Sequence, residues 1–320
     1  MITSKHWGTL EDGQAIDLIA LKSPAGAVAE ISNFGGLLRS LTIPMPDGTV
    51  RQTVLNYDSL DEYRRCPFYI GAIVGPYANR IQGGRFSLDG VQYQLEQNEG
   101  ENTLHSGSAG WQTMRYDYEV DGDSLLLKHH SPDGTGGFPG NRDVTIRFRW
   151  KTPTALEIRY AVTTDRATIV SMTNHSYFNL GTEAPILSHQ LQLRAEAYTP
   201  VDQTLLPTGE IAPVTDTPFD FRAPRPIGGA YDHNYALTPG DDPAAVLISP
   251  NGDLAMDVFT DKPGIQLYSG AMLTAPFAPY AGLCLETQHF PDAPNIDAFP
   301  TAVVTSEKPY HSTTVFAFRM

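Results

Sequence analysis

Cysteine is scarce in this sequence of 320 residues, which contains only Cys66 and Cys284. Two cysteines cannot build the disulfide framework of a small secreted domain, and each of them stands among apolar residues. We therefore expect both to be reduced, buried thiols.

Basic side chains are also few, because 22 Lys and Arg stand against 36 Asp and Glu, which gives a net charge of −14. This balance disfavours nucleic acid or an anionic membrane as a partner. No stretch approaches the ~18 consecutive apolar residues of a membrane span. The first residues also lack the apolar core of a signal peptide. We expect a cytoplasmic protein that has no membrane partner.

Period-2 alternation of apolar and polar side chains is abundant, whereas the helical period is nearly absent. In residues 144–150, one face carries Val144, Ile146, Phe148 and Trp150. Short segments of this kind are separated by Pro-Asp-Gly, Asp-Gly and Asn-Gly turns. The pattern predicts an all-β fold, a large antiparallel β-sandwich with very little helix.

One short helix is predicted at residues 60–65, because Ser59 and Glu62 form the sequence signature of a capping box. The chain is long enough for two domains at ~150 residues each, but all-β folds often exceed that size. No shift of composition and no repeat of fixed period divides it. We expect a single domain, 1–320.

The stretch from Gly282 to Asn295 is the most informative part of the chain. A short apolar strand at residues 283–285 leads directly to Glu286, and Pro291 and Pro294 then forbid a regular continuation. A strand with an acidic side chain at its end is a common way to build a site. We interpret Glu286 as the general base of a sugar-processing enzyme.

Other irregular polar segments contain further candidates. Arg80 could present a fork of donors to a ligand, although alone it resembles a surface arginine. His105 alone suggests a structural histidine, and His175, just past an apolar run, fits a core role and a site role equally well. Asp232 lies among aromatic residues, which suits a saccharide site or a capped loop. Gln266 shares one face of a predicted strand with Tyr268.

A metal site is the minority interpretation of the histidines and Glu286. Glu286 and His289 have the spacing Glu-x-x-His, which places two side chains on one face of a helix. On a strand the same two positions point to opposite faces. The apolar residues and prolines favour a strand here, so we expect no metal ligand among these residues.

Taken together, the motifs resemble the aldose 1-epimerase (galactose mutarotase) family. They occur in the family's order and span the chain from about Phe34 to its end. The matching segments are Asn79-Arg80, His105, Thr173-Asn174-His175-Ser176-Tyr177-Phe178-Asn179-Leu180, Asp232-His233-Asn234 and Glu286-Thr287-Gln288-His289-Phe290-Pro291-Asp292. The resemblance implies a β-supersandwich that interconverts the anomers of free aldoses without a cofactor.

The resemblance also implies a role for each matching residue. Glu286 would be the base and His175 the acid. The substrate ligands would be Arg80, His105, Asp232 and Gln266, with Asn79 supporting Arg80. The partner would be a small monosaccharide, and we expect a monomer or a homodimer.

The chain departs from the family's pattern at two positions near His105. Ser106 stands where the family usually has a glycine, and Trp111 stands where a phenylalanine is common. These departures leave the chemistry intact and the sugar preference open.

Three other functions remain open at this point. A non-catalytic sugar-binding sandwich would keep the aromatic residues and Arg80, but it would need neither a base nor an acid. A glycoside hydrolase could use Asp232 and Glu286 as its carboxylate pair. A hexose-6-phosphate epimerase would need a basic cluster at the site, and Lys and Arg are sparse near these motifs.

Overall fold

The computed structural model describes residues 1–183 and 185–320, and almost all of its regular structure is antiparallel β-sheet. The strands of these residues, in chain order, are β1 (Ile2–Thr9), β2 (Ala15–Lys22), β3 (Val28–Ser32), β4 (Leu38–Pro44), β5 (Val50–Gln52), β6 (Ile73–Val74), β7 (Arg80–Ile81), β8 (Arg85–Leu88), β9 (Val91–Gln94), β10 (Thr103–Leu104), β11 (Asp117–Asp121), β12 (Ser124–Ser131), β13 (Arg142–Thr152), β14 (Ala155–Thr164), β15 (Thr168–Ile169), β16 (Thr173–Asn174), β17 (Gln190–Leu193), β18 (Ala195–Tyr198), β19 (Ala212–Pro213), β20 (Arg225–Pro226), β21 (Asp232–Leu237), β22 (Ala245–Ile248), β23 (Ala255–Thr260), β24 (Gly264–Tyr268), β25 (Cys284–Gln288), β26 (Val303–Val304) and β27 (Tyr310–Arg319).

The longest strands form a nine-stranded sheet in the order β11-β12-β13-β14-β27-β23-β22-β17-β20. In β13 the predicted alternation is confirmed, since Val144, Ile146 and Phe148 are buried. Trp150 is half-buried, and its indole N–H donates to the carbonyl of Leu21 at 2.9 Å. The apolar face of β13 therefore points into the core.

Two five-stranded sheets complete the sandwich, in the orders β1-β2-β3-β4-β5 and β19-β18-β21-β24-β25. Apolar side chains of all three sheets belong to one cluster, which extends from Ile19 and Ile31 through Ile146 to Leu285 and Phe318. Burial of this shared apolar surface is the main force that holds the sheets together. The predicted all-β sandwich is confirmed.

Helix is rare, as predicted. The α-helix α1 (Leu60–Arg65) begins with the expected capping box, in which Ser59 N–H donates to Glu62 Oε2 at 2.9 Å and Glu62 N–H donates to Ser59 Oγ at 3.4 Å. The remaining helical turns of the described residues are 3₁₀ turns at Gln82–Gly84, Gly107–Ala109, Trp111–Thr113, Thr135–Gly137, Ile186–Ser188 and Ala293–Asn295. No helix in the described part of the chain is long and apolar enough to span a membrane.

The local prediction around Glu286 was wrong in one respect. The strand β25 continues to Gln288, so Glu286 lies in the middle of the strand and not at its end. Polar residues continue the strand because Thr287 and Gln288 are fully buried, and Thr287 Oγ1 bonds Thr314 Oγ1 at 2.6 Å. Of the two cysteines, Cys284 is buried as predicted but Cys66 is only partly buried, and both are free thiols.

Candidate active site

Polar side chains from separate parts of the chain converge on a pocket of about 330 Å³. Among the residues that line it are six of the seven predicted site residues, namely Asn79, Arg80, His105, His175, Asp232 and Glu286. The seventh, Gln266, does not line the pocket, but its side chain donates a hydrogen bond to Asp232, which does. His289 is not part of the lining, so the Glu-x-x-His pair does not converge.

Three neighbouring strands present one polar face to this pocket. The register aligns Asn234 of β21 with Gln266 of β24, and Gln266 with Glu286 of β25. Directly opposed residues of an antiparallel pair point to the same side, so these side chains share a face. Two positions along, Asp232 and Tyr268 lie on that same face. The intervening apolar residues of β24 and β25 point into the core.

The carboxylate of Glu286 and the imidazole of His175 face each other, with 3.7 Å between Glu286 Oε1 and His175 Nε2. Both side chains are almost completely buried. Within the described residues, Glu286 Oε2 accepts no hydrogen bond, although it is shielded from solvent. A buried acceptor without a partner is costly, so this oxygen is available for a hydroxyl of a ligand.

His175 lies just past the end of β16, as predicted, and its backbone is fixed on both sides. Its N–H donates to the carbonyl of Ala72 at 2.8 Å, and its carbonyl accepts from Gly71 N–H at 3.0 Å. Gly71 has a φ of +70°, and a Cβ there would meet the carbonyl oxygen of Leu38 at 2.6 Å. Only glycine fits this close approach. On the other side of the ring, Cys284 Sγ lies 3.5 Å from Nδ1.

Arg80 is buried rather than a surface residue, and its guanidinium is bonded by one carboxylate and lies near a second. Its Nε and Nη2 donate to Glu99 at 2.6 and 2.8 Å, while Nη1 lies 4.0 Å from Asp232 Oδ2. Asp232 Oδ1 in turn accepts from Gln266 Nε2 at 2.7 Å. Gln266 Oε1 accepts no hydrogen bond from the described residues, so its amide holds Asp232 and leaves an acceptor free.

Asn79 and His105 are positioned by their backbones. Asn79 has a φ of +65°, and its Oδ1 accepts from Arg80 N–H at 2.9 Å. Asn79 N–H donates to His105 Nδ1 at 3.0 Å, so the neutral imidazole carries its proton on Nε2. Asp292 continues the arrangement, since its N–H donates to the carbonyl of Arg80 at 2.9 Å and its Oδ1 accepts from Gln82 N–H.

Burial controls the protonation of the pocket. Burial raises the pKa of Glu286 well above its usual value, and the charge of Asp232 raises it further while Arg80 opposes this. Burial lowers the pKa of His175 to about 4. The pKa of His105 is lowered well below its usual value by burial and then by His175 and Arg80. Glu286 therefore holds a proton more readily than His175.

Burial also raises the pKa of Asp232, but the charge of Arg80 and the hydrogen bond from Gln266 oppose this shift. Asp232 therefore ionises more readily than Glu286. Asp232 and Glu286 differ in their partners, because Asp232 accepts a hydrogen bond from Gln266 and lies near Arg80, whereas Glu286 faces the imidazole of His175.

Sequence reasoning missed several residues of the pocket. Glu99 is one of them, and several others are aromatic, among them Tyr69, Tyr177 and Tyr268. The ring of Tyr69 packs edge-on against His105, with 4.6 Å between centroids, and Tyr177 lies 5.2 Å from His175. Tyr177 stood inside a recognised motif and Tyr268 shared a face with Gln266, so both could have been inferred. Tyr69 and Glu99 had no such signal.

The two departures from the family's pattern do not reach the pocket. Ser106 has a φ of +66°, a conformation that favours the glycine usual in the family. Its Oγ accepts from Tyr77 N–H at 2.8 Å, a bond that a glycine could not make. Trp111 is fully buried, and neither residue lines the pocket.

His105, His175 and Glu286 are close enough to be considered as metal ligands, since their candidate ligand atoms lie within 4.8 Å of one another. A tetrahedral zinc site would need all of them within ~2.0–2.2 Å of one ion. The same residues are also the groups that proton transfer to and from a sugar requires. Metal independence stays a prediction.

Comparisons with known proteins agree on one family. A family model described as "Aldose 1-epimerase" matches residues 17–317. The aldose 1-epimerase of Escherichia coli K12 is 35% identical over 313 residues, which covers 90% of each chain. The galactose mutarotase of Sus scrofa is 35% identical over 338 residues, which covers 99% of this chain and 98% of the relative.

Solved structures give the same result. A GalM/aldose epimerase homologue from Caenorhabditis elegans superposes with a TM-score of 0.90 at 27% identity, covering 94% of this chain and 98% of that one. Galactose 1-epimerase from Lactobacillus acidophilus has a TM-score of 0.88 at 25% identity, covering 100% of this chain and 98% of its own. The similarity therefore extends over the complete sandwich.

Proposed function

The chain belongs to the aldose 1-epimerase family, and from this premise we propose which of its residues carry the reaction. It is an enzyme that interconverts the α and β anomers of a free aldose by opening and reclosing the ring. The observation that carries the proposal is the buried pair of Glu286 and His175, 3.7 Å apart in the pocket.

Glu286 is the base. It removes the proton from the C1 hydroxyl of the sugar, while His175 Nε2–H gives a proton to the ring oxygen. The bond between C1 and the ring oxygen breaks, C1 becomes an aldehyde, and rotation about C1–C2 exposes its other face. The same two groups then reverse the steps, so no proton is gained or lost. Paired proton transfers of this kind are each worth roughly 10²–10⁴-fold.

The protonation state that reacts is the ion pair, a Glu286 carboxylate with a His175 imidazolium. Burial favours the neutral arrangement, with the proton on Glu286. Both arrangements contain one proton, so pH does not decide between them. Hydroxyl groups of the sugar that donate to Glu286 favour its charged form, because hydrogen bonds to a carboxylate lower its pKa.

Arg80, His105 and Asp232 orient the sugar. Arg80 and the Nε2–H of His105 supply donors, and Asp232 supplies an acceptor held by Gln266. Asn79 supports both Arg80 and His105 through its backbone and amide. No electrons or groups are transferred in this scheme, so the reaction needs no cofactor.

The substrate class is a free monosaccharide, and we include galactose and glucose. The support for galactose is the name of the relatives, galactose mutarotase, and the polar side chains that line the pocket suit a monosaccharide in general. We further propose that the protein is a monomer or a homodimer, that it acts in hexose metabolism and that it is cytoplasmic.

Polarimetry of freshly dissolved sugars tests the proposal. The enzyme should accelerate the change of optical rotation of α-galactose and α-glucose, and the comparison with xylose and arabinose then ranks the sugars. A disaccharide hydrolysis assay on the same preparation should release no monosaccharide. Hydrolysis with no acceleration of mutarotation would contradict the proposal and favour a glycoside hydrolase that uses Asp232 and Glu286.

A further inference from the structure

Among the described residues, Glu99 makes the shortest side-chain contacts with the guanidinium of Arg80. Its two carboxylate oxygens accept from Nε and Nη2 of the guanidinium at 2.8 Å or less. Charge-assisted, bidentate pairs of this kind fix orientation as well as distance, because both groups are planar. The pair therefore defines the plane of the guanidinium in the pocket.

The pairing with Glu99 leaves one edge of the Arg80 guanidinium free to bind a ligand in the pocket. With Nε and one side of Nη2 occupied by Glu99, Nη1 points toward Asp232, which lies 4.0 Å away. Without Glu99, the guanidinium could turn and pair its fork with Asp232, the acceptor assigned to the sugar. Glu99 thus keeps Arg80 and Asp232 as separate ligands.

The position of Glu99 is itself fixed by a tight turn. Its backbone N–H donates to the carbonyl of Asn102 at 3.1 Å, and Asn102 N–H donates back at 3.0 Å. The Oδ1 of Asn102 accepts from Gly83 N–H at 3.0 Å, just past β7, where Arg80 lies. The turn leads through β10 to His105. One loop thus positions two donors of the pocket.

Glu99 also stands at a boundary. It lines the pocket, and it lines a neighbouring open groove of about 840 Å³ whose lining includes Arg85, Glu101 and Asp202. The side chain of Glu99 is 37% exposed, whereas that of Arg80 is only 8% exposed. The carboxylate therefore reaches Arg80 from the groove side and separates the groove from the pocket.

From these contacts we propose that Glu99 is a positioning residue that aims Arg80 at the sugar and keeps it away from Asp232. The inference rests on the proposed function, in which Arg80 binds the sugar. It assigns no contact with the substrate to Glu99. A guanidinium that donates to the ring oxygen would stabilise the partial negative charge that develops there before the proton from His175 is fully transferred. An aimed guanidinium therefore matters more in the transition state than in the bound sugar.

Glu99→Gln and Glu101→Gln form a matched pair for the test. Both remove one negative charge from the same loop, but Glu101 is exposed and its side chain has no contact with Arg80 within the described residues. We expect Glu99→Gln to lower kcat for α-galactose roughly 10-fold with a smaller rise in KM, the size of one charge-assisted hydrogen bond. Glu101→Gln should stay within about twofold of wild type.

A double-mutant cycle with Arg80→Lys identifies the route of the effect. A lysine cannot use the fork, so Glu99→Gln in the Arg80→Lys background should cost no more than Glu101→Gln does there. Equal costs of Glu99→Gln in the two backgrounds would show that Glu99 acts without Arg80 and would overturn the inference. So would a Glu99→Gln enzyme that behaves like Glu101→Gln. Neither result would change the roles proposed for Glu286 and His175, because Glu99 contacts neither residue in this scheme.

Discussion

Glu286 and His175 differ from the same residues in water because of where they lie. A carboxyl and an imidazole with ordinary pKa values would both be charged between about pH 4.3 and 6.5. Burial moves both away from the charged state, raising the pKa of Glu286 and lowering that of His175 to about 4. Desolvation on burial is the largest cause of both pKa shifts.

These shifts predict the pH profile of the free enzyme. The pair is competent when it holds one proton, so kcat/KM should be bell-shaped. Below about pH 4 a second proton reaches His175 and activity falls. At high pH the single proton, held chiefly by Glu286, is lost and activity falls again.

The pH prediction is checked by measuring kcat/KM against pH with the spontaneous mutarotation of each buffer subtracted. The ordinary assignment would give the acidic limb to the carboxylate, and here the order is reversed. An acidic limb near pH 6.5 would contradict the assignment, because His175 would then titrate like an unburied imidazole.

Arg80→Lys is the second prediction at this scale. The substitution keeps the positive charge but loses the bidentate pairing with Glu99 and the aim of Nη1. We expect kcat/KM to fall by at least about 10-fold, since hydrogen bonds to charged groups are worth ~1.5–3 kcal/mol. Steady-state polarimetry measures it, and a wild-type value would mean that Arg80 is a bystander.

Six of the seven residues that the sequence pointed to line one pocket, but the sequence did not indicate their partners. Residues in ordered motifs, such as His175 and Asp232, could be recognised from the chain itself. The ion pair of Arg80 and Glu99 joins positions 19 apart across a loop, and no periodicity reports such a contact. For the same reason Tyr69, which packs on His105, was not foreseen.

Strands illustrate where sequence patterns succeed and where they fail. The alternation of β13 was predicted correctly, because one face meets the core and the other does not. The strand β25 was cut short in the prediction, because its residues after Leu285 are polar. They are nevertheless buried, since one face of β25 lines the pocket and Thr287 meets Thr314 on the other. Polar side chains that face a functional site therefore interrupt the apolar pattern from which a strand is predicted.

Arg142, at the start of β13, carries a prediction at the level of an element. It is fully buried, and burial lowers its pKa to about 10. Its guanidinium donates to Ser131 Oγ at 3.0 Å and to the carbonyls of Pro132 and Phe138 at 2.8 and 3.2 Å. These bonds close the loop of residues 131–140, so Arg142→Met would leave its acceptors unpaired.

We expect Arg142→Met to lower the free energy of unfolding by roughly 2–4 kcal/mol, because each unsatisfied buried group costs ~1–3 kcal/mol. Denaturant unfolding followed by fluorescence measures this. Arg147→Met on the same strand is the control. Arg147 is half-buried, and within the described residues its side chain bonds only Ser124, so the substitution should cost under ~1.5 kcal/mol. Equal costs for the two variants would contradict the role given to Arg142.

At the scale of the molecule, one apolar cluster joins the nine-stranded sheet to both five-stranded sheets. Because this cluster extends from Ile19 to Phe318, we propose that residues 1–320 form one domain. The pocket takes its residues from strands and loops spread over most of the chain. The fold as a whole therefore keeps the pocket in shape, and no single loop carries it.

Chelation tests the chemistry of the molecule as a whole. Activity should survive exhaustive chelation with EDTA, since Glu286 and His175 supply both proton transfers without a Lewis acid. The assay is polarimetry before and after dialysis against the chelator. Loss of activity that one divalent ion restores would contradict this, and His105, His175 and Glu286 would then be the ligands to consider.

Glu286→Gln tests the central claim most directly. The substitution keeps the size of the side chain and a hydrogen-bonding carbonyl but removes the base, and near-ultraviolet circular dichroism confirms that the variant is folded. Its kcat for α-galactose, measured by polarimetry, should fall at least ~100-fold while KM changes little. Glu101→Gln, which removes one charge elsewhere, should keep its rate. A folded Glu286→Gln enzyme that interconverts anomers at close to the wild-type rate would contradict the account.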